Sequence, residues 1–551
     1  MSKLFEQLLR VRDFGADFLL PKYEDAVDSD LVPDMQKAVK RLQLAKEWGE
    51  KILIYGDYDV DGVTASTVMH DALGLAGLEV VEIMLPNRFL DGYGMSKKVV
   101  QRAKELGVGL VVTVDCGSRN HEIIQELKDV GIETIVTDHH ECGATLPVAV
   151  AVLNAKRRDI MQVAQEMRGG ELLEGDLEAL EELRELAGVG VAFKLAQALV
   201  KAGEAPVGQE KWLLDLVLIG TICDSMRLMG ENRRLCYYGM KVLAKTRRVG
   251  LKELMRIAGV KKLDGEAIGF QIGPRLNAAG RMETAEKALN LLLSRSRVEA
   301  AQLTMELEEL NKARKKQQNA AIDEIRERGL QPGPVVIEEG DWHEGVLGII
   351  AGRLVEEYRK PAFVLAEADG TLKGSGRSFG DFNLAEALTV CEKYIIGGGG
   401  HAEACGLKLE KGKIEEFREA MGQYYQSLNL VNQERFLRVR EDLVVENFED
   451  LSLDLIEEMR KLEPYGPGNE EPVFLLQEVR VVEVAKLGEE AKHLRLIVWD
   501  KSGKSLKLMS FYAPEEYLRL KGGEIVNIWI ALSENEFRGI RSVEGRILRL
   551  E

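Results

Sequence analysis

The chain has 551 residues, a formal net charge of −17, and 45% hydrophobic and 30% charged residues. That length is too great for one hydrophobic core, so roughly two to four domains are expected, and no apolar run is long enough to span a membrane. The acidic balance argues against a surface coated in nucleic acid but not against a local basic channel; six single cysteines without a Cys-x-x-Cys pair, and a start without a signal-peptide pattern, predict a reducing cytoplasm.

Residues 1–50 read as a helical lead-in with an acidic, loop-prone stretch at 24–34. From 51 to 155 strand and helix alternate. The apolar runs 51–55, 80–85, 110–114, 134–137 and 148–153 predict an α/β domain with a largely parallel sheet, whose ligands sit beyond the carboxyl ends of the strands.

Acidic groups fall at those ends. Ile52–Tyr55 runs into Asp57, Asp59 and Asp61, then Gly62 and a helix start at Val63. Three carboxylates so close repel one another unless a cation neutralises them. The pattern is not a calcium-binding EF-hand, because the twelfth position is Val68 and a strand precedes the loop. An aspartyl-phosphate-forming phosphatase remains open from this stretch alone. Leu110–Val114 then leads to Asp115-Cys116-Gly117, and Thr134–Thr137 to Asp138-His139-His140. Three strands thus deliver their acids and imidazoles to one sheet edge, which predicts a metal site. The apolar run Trp212–Ile219, ending in Gly220-Thr221-Ile222-Cys223-Asp224, offers a fourth candidate, although a lone Asp there also reads as a helix cap. Carboxylates with one or two imidazoles suit Mn²⁺ or Mg²⁺ better than zinc. Cys116, Cys142 and Cys223 read as small core residues.

Residues 166–186, with eight acidic and two basic side chains, read as a solvated helix. Lys245, Arg247, Arg248, Lys252, Arg256, Lys261 and Lys262 form either an exposed face or a patch for a phosphate backbone. A long helix is expected over 297–329, with Lys312, Arg314, Lys315 and Lys316 at its middle. A second α/β unit starts at Pro334, with strands at 335–338 and 362–366. Within it, Lys373–Ser378 offers backbone N–H groups, a hydroxyl and a guanidinium to a phosphate, and Gly397–Gly400 lets the backbone approach a ligand beside His401. From about 430 onward, six short alternating runs predict a small antiparallel barrel. Its aromatics Trp499, Phe511, Tyr512, Trp529 and Phe537 read as core residues and receive no role.

In combination, Asp57–Gly62, Asp115–Gly117, Asp138–His140 and Gly220–Asp224 resemble the four motifs of the DHH phosphoesterase superfamily. Pro86-Asn87-Arg88, Gly92-Tyr93-Gly94, Gly273–Arg281, Trp342–Val346, Gly374–Ser378, Gly398–Ala402 and Leu462–Asn469 narrow the resemblance to the RecJ family of single-strand-specific DNA exonucleases, from about residue 50 onward. The resemblance implies a two-lobed DHH catalytic core (a parallel-sheet α/β lobe, a long connecting helix and a smaller α/β lobe) followed by an OB-fold barrel. The matching boundaries are 1–296, 297–330, 331–428 and 429–551. It implies 5′→3′ hydrolysis of single-stranded DNA to 5′-mononucleotides, in DNA repair and recombination, by two divalent cations, Mn²⁺ or Mg²⁺. Asp57, Asp59, Asp61, Asp115, His139 and Asp224 would be metal ligands, and His140 would face the scissile phosphate. Arg88, Arg275, Asn277, Arg281, His343, Ser375, Arg377 and His401 would hold DNA phosphates, some of them at the 5′ end. It further implies a monomer at the nucleoid, working with single-strand-binding protein and a helicase. Tyr55 departs from other branches of the superfamily, which place a metal-binding His there, so carboxylates must carry that metal. Two alternatives stand beside this reading. An oligoribonuclease or cyclic-dinucleotide phosphodiesterase would have no need of residues 430–551. A non-catalytic single-strand-binding scaffold would be favoured by loss of Asp59, Asp61, Asp115 or His139, and none is lost.

Overall fold

Five parallel strands form the first sheet: β1 (Lys51–Tyr55), β2 (Glu79–Met84), β3 (Val108–Val114), β4 (Glu133–Thr137) and β5 (Ala151–Leu153), in the order β2-β1-β3-β4-β5. The computed structural model describes every residue except 93, 168–174, 369, 431, 432, 434, 435, 437 and 489–491, so Tyr93 and part of the acidic 166–186 stretch lie outside the described residues. The central strands β1 and β3 are buried and mostly apolar because both faces are covered, whereas the edge strand β2 is half-buried and carries Glu79 and Glu82. Ile52 and Ile54 enter one core while Leu53 and Tyr55 enter the other, as the two-residue strand period requires. Strand order reverses at β1, so a crevice opens between the carboxyl ends of β1 and β3.

The larger core is built from helices laid on this sheet, chiefly Val60–Leu75, Gly188–Lys201 and Leu214–Cys223. The apolar run after Trp212 is the last of these, and Asp224 occupies its C-cap. The cap reading and the site reading of Asp224 are therefore compatible.

The expected long helix is a single helix, Arg297–Arg328, capped by Ser296 and ended by Gly329 at positive φ. Ala300 and Leu307 lie in the core of the first lobe. Ala321, Ile322 and Ile325 lie in a core of the second. That second lobe has the strands β6 (Val336–Gly340), β7 (Ala362–Ala368), β8 (Thr371–Arg377), β9 (Ile395–Gly400) and β10 (Ala404–Glu410), ordered β6-β7-β8-β10-β9. One local expectation is corrected here. Lys373–Arg377 is strand β8 with its backbone paired to β7 and β10, so it offers a phosphate its side chains and not a cradle of N–H groups. The glycine run is the edge strand β9, whose backbone borders the same cavity as His401; a Cβ on Gly398 would come within 2.8 Å of the Gly406 carbonyl oxygen, so glycine here also lets two strands approach.

The last sheet comprises β11 (Leu443–Val445), β12 (Phe474–Leu487), β13 (His493–Trp499), β14 (Ser505–Ser510), β15 (Ile525–Phe537) and β16 (Ile540–Leu550). Pairing of β12 with β15 closes the barrel of this OB domain. Two expected strands are one, β12, whose register shifts between Leu476 and Val479 around Glu478 at φ 53°. The barrel is not wholly antiparallel, since β14 and β16 run parallel. The lead-in is also divided: Leu4, Phe5 and Leu8 pack in the barrel core, whereas residues from Val27 join the first lobe.

Candidate active site

The residues after β1 turn sharply. Asp59 caps the helix Val60–Leu75 by accepting from the Gly62 N–H at 3.0 Å, which puts Asp61 in the first helical turn. Asp61 is buried and accepts from the backbone N–H groups of Gly188 and Val189 at 2.7 and 3.0 Å. These begin another helix, so its positive end faces the carboxylate. A Cβ on Gly188 would stand 2.6 Å from Asp115 Cβ. Asp115 itself follows β3 at φ 58°, a left-handed conformation that Asp tolerates better than bulkier residues.

His139, after β4, joins them. Its Nε2 lies 3.2 Å from Asp115 Oδ1, 3.7 Å from Asp224 Oδ2 and 3.8 Å from Asp61 Oδ2. Three overlapping sets, Asp57/Asp59/Asp115, Asp61/His139/Asp224 and Asp115/His139/His140, each bring their ligand atoms within 4.8 Å of one another. All six expected metal-binding side chains thus gather at one centre. Burial, then the charge of Asp59, pushes Asp57 and Asp61 up to about 7. Burial, then Asp61 and Asp59, pushes Asp224 up to about 8. Burial and four neighbouring aspartates push Asp115 far above the carboxylate range. Burial likewise drives His139 down to about 3, which leaves it neutral and able to act as a ligand. Asp115 Oδ1 is buried and accepts no hydrogen bond. Self-repelling, incompletely satisfied oxygens with one neutral imidazole fit hard divalent cations.

Asp138 has a different part. It accepts from the N–H groups of Ser118, His139 and His140 at 2.8 to 3.0 Å and meets His140 Nδ1 at 2.8 Å. Burial lowers the His140 pKa, but the hydrogen bond and charge of Asp138 outweigh it and bring it to about 9. Tyr55, at the departing position, turns away from the cluster: its hydroxyl donates to the Gly94 carbonyl at 3.2 Å and accepts from the Ser96 N–H at 3.1 Å.

A cavity of about 1000 Å³ runs between the lobes beside this cluster, lined on one side by Tyr58, Arg88, His140 and Arg281 and on the other by Ser375, Arg377 and His401. Arg88 stacks on Tyr58 at 4.3 Å. Burial and the charges of Arg88, Arg314 and Arg377 lower Arg281 to about 9. Among the described residues none of these four arginines has a carboxylate within 4.0 Å. Such a concentration of unpaired cations is an anion site. Arg314 was foreseen only as one base of the long helix. Arg275 is held elsewhere, by Glu308 at 2.6 Å and the Gln271 carbonyl, and neither it nor Asn277 lines the cavity. His343 accepts from the Gly345 N–H and packs against Phe89. Asp138 was placed at the site edge by its motif but given no role of its own, whereas Gly188 was missed and carries no local signal.

The fold and cluster agree with what the chain resembles. Family models match at residues 51–221 (DHH family, N-terminal domain), 333–427 (DHHA1 domain) and 443–548 (RecJ OB domain). The chain is 35% identical over 528 residues to the single-stranded-DNA-specific exonuclease RecJ of Bacillus subtilis, covering 94% of this chain and 64% of that one. It is 33% identical over 544 residues to the Escherichia coli protein of the same name, covering 93% and 89%. The crystal structure of Thermus thermophilus RecJ with Mn²⁺ superposes with a TM-score of 0.80 at 28% identity, over 99% of this chain and 77% of that one. With one carboxylate–imidazole centre, two lobes on a shared helix and a closing barrel all matched in order, the chain belongs to the RecJ family of the DHH phosphoesterases.

Proposed function

We propose that the chain is a single-stranded-DNA exonuclease that works from a 5′ end and releases 5′-mononucleotides, with its metal ligands and phosphate grips among the residues of the cleft. The observation that carries this reading is the pairing of an aspartate–histidine cluster with unpaired arginines across one cavity. Asp57, Asp59, Asp61, Asp115, His139 and Asp224 would hold two divalent cations, Mn²⁺ or Mg²⁺. Bound there, those ions would supply Lewis acidity and a hydroxide at neutral pH.

The protein's own groups supply the rest. Arg88, Arg281 and Arg377 hold a terminal phosphate, which fixes the reading direction and sets the next phosphodiester against the cluster. His140, fixed by Asp138, donates a hydrogen bond or proton to a phosphate oxygen or the leaving oxygen. A cleft closed by an edge strand of glycines admits one strand and not a duplex. The division of labour follows the segments 1–296 and 331–428 for the cleft, 297–330 as their connector, and 429–551 as the grip on the trailing strand. Genome repair, with a single-strand-binding protein and helicase as partners, and action as a monomer belong to this same reading.

The test digests 5′- and 3′-labelled single-stranded and duplex oligonucleotides with Mn²⁺, Mg²⁺ or EDTA, beside Asp61→Asn. Release of labelled mononucleotide first from the 5′ end of single strands, abolished by EDTA and by the variant, is expected. Degradation from the 3′ end, or of blunt duplex, overturns the polarity and strand assignments. Turnover of dinucleotides alone overturns the assignment of a long substrate.

A further inference from the structure

Two helices that reach the catalytic cluster have their other ends in a second cavity. The helix Val60–Leu75 carries Asp61 at its start and His70, Asp71 and Leu75 about 13 to 21 Å further along its axis. The helix Leu214–Cys223 ends at Asp224 and begins beside Trp212, Leu213 and Asp215. Between these distal ends, and against Leu292–Arg295, lies a cavity of about 920 Å³ that plays no part in the proposed reaction.

Its lining has two chemical halves. Leu75, Leu213, Leu292 and the half-buried Trp212 supply an apolar floor, and Arg247 and Arg295 supply cations. Arg247 lies over the Trp212 ring at 3.6 Å. Arg248 is tied into the wall, to Asp71 at 2.8 Å and Asp215 at 3.3 Å. By contrast, among the described residues Arg247 and Arg295 have no carboxylate within 4.0 Å, in a chain whose net charge is −17. Unpaired guanidinium groups beside an aromatic plane and an apolar floor fit a ligand that is anionic at one end and flat and apolar at the other.

We propose that this cavity is a second, non-catalytic site for a nucleoside 5′-phosphate, whose phosphate meets Arg295 and the edge of the Arg247 guanidinium and whose base lies on the apolar floor of Leu75, Leu213 and Leu292 beside the Arg247–Trp212 stack. The basic run at 245–262, open between an exposed face and a phosphate patch in the sequence, thereby gains a role for its Arg247. The same chemistry is offered by a free mononucleotide and by one unit of a single strand. The proposal does not depend on the reaction assigned to the cleft.

Isothermal titration of the full-length chain in EDTA tests it, with dAMP, inorganic phosphate, deoxyadenosine and a 15-residue oligo(dT) as titrants. The background is Arg377→Met, which weakens the cleft's own hold on phosphate. A dAMP site that Arg247→Glu with Arg295→Glu weakens at least tenfold, and that binds phosphate and deoxyadenosine each more weakly than dAMP, is the expected result. The same pair placed in the otherwise unaltered chain should leave its melting temperature unchanged and its hydrolysis at saturating strand within twofold of the parent. If the pair weakens dAMP alone, the ligand is the free nucleotide; if it weakens oligo(dT) as well, it is a unit of the strand, and both uphold the site. Unchanged dAMP binding in the pair, or phosphate binding as tightly as dAMP, overturns it.

Discussion

His140 Nδ1 stands 2.8 Å from Asp138 Oδ1, and the same oxygen accepts the His139 and His140 N–H groups. Asp138 therefore sets the direction of an imidazole that lines the cleft beside the cluster. Removing it deletes none of the proposed metal ligands and frees the ring. Asp138→Ala is expected to lower kcat by about 10- to 100-fold, the usual effect of losing the partner that orients a site histidine. Single-turnover hydrolysis of a labelled strand, beside a Mn²⁺ titration, checks that chemistry falls further than metal affinity.

Gly188 gives a prediction that no motif announces. A methyl group there would sit 2.6 Å from Asp115 Cβ, so either Asp115 or the helix end that donates to Asp61 must move. Gly188→Ala should weaken Mn²⁺ activation at least tenfold and slow the reaction, because reacting groups displaced by about 1 Å lose on the order of 100-fold. The melting temperature should fall by only a few degrees. An unchanged Mn²⁺ requirement would show that the contact relaxes.

Arg377 sits across the cavity from Arg88 and Arg281, with Ser375 at 3.1 Å and no carboxylate partner among the described residues. A hydrogen bond to a charged group contributes about 1.5–3 kcal/mol, or roughly 10- to 100-fold in affinity. Arg377→Met should raise KM by that factor on 5′-phosphorylated strands and change kcat little. Strands with a 5′ hydroxyl should show a smaller difference between the parent and the variant. Equal effects on both ends would remove Arg377 from the terminal phosphate.

How much of this site could be read in advance follows from how local its signals are. Asp57, Asp59, Asp61, Asp115 and His139 announce themselves because each follows an apolar strand, and parallel strands end at a common edge. Asp224 was ambiguous because an apolar run before an Asp is the same pattern whether it caps a helix or serves a site. Gly188 was invisible, since its role is a close approach between segments about seventy residues apart in sequence. The glycine run at 397–400 does border the cavity, but no local signal says that it does so as an edge strand paired with β10. Arg275 illustrates the limit of motifs, for its place in one did not reveal that Glu308 holds it.

Stability offers a test remote from the cleft. Lys194 and Glu231 form a fully buried ion pair, and Lys194 also donates to the Val27 carbonyl at 2.6 Å. Burial raises the Glu231 carboxyl, but Lys194 and then Arg234 outweigh it and hold the group below the usual range. A depressed carboxyl binds its proton less readily folded than unfolded, so its contribution is present above the unfolded value and is lost as pH falls through the folded one. Glu231→Gln leaves Lys194 buried without its countercharge, a loss on the order of 3–5 kcal/mol. The first thermal transition should drop by several degrees at pH 7, and the gap between parent and variant should narrow below about pH 4. A gap independent of pH would mean that packing, not charge, holds this position.

Arg233 joins parts of the chain that the sequence keeps far apart. Its buried guanidinium donates to the carbonyls of Phe18, Lys461, Leu462 and Glu463 at 2.7 to 3.2 Å and stacks on Phe18 at 4.5 Å. Asn469 ties the same turn together by donating to the Leu462 and Pro464 carbonyls, while the Leu228 N–H donates to the Pro467 carbonyl at 2.7 Å. The Leu462–Asn469 motif is thus the seat of the barrel on the first lobe. A long strand held in the cleft and on the barrel gains from a fixed geometry between them, because the second contact is then effectively intramolecular. Arg233→Met, which removes four hydrogen bonds while preserving bulk, should raise KM at least fivefold for strands of about 20 nucleotides. For strands of about five nucleotides, too short to reach the barrel, KM should stay within twofold. Because Arg233→Lys restores a charge but not the fork of donors, it should recover only part of the loss. Equal shifts for short and long strands would place the effect in the cleft instead of in the seating of the barrel.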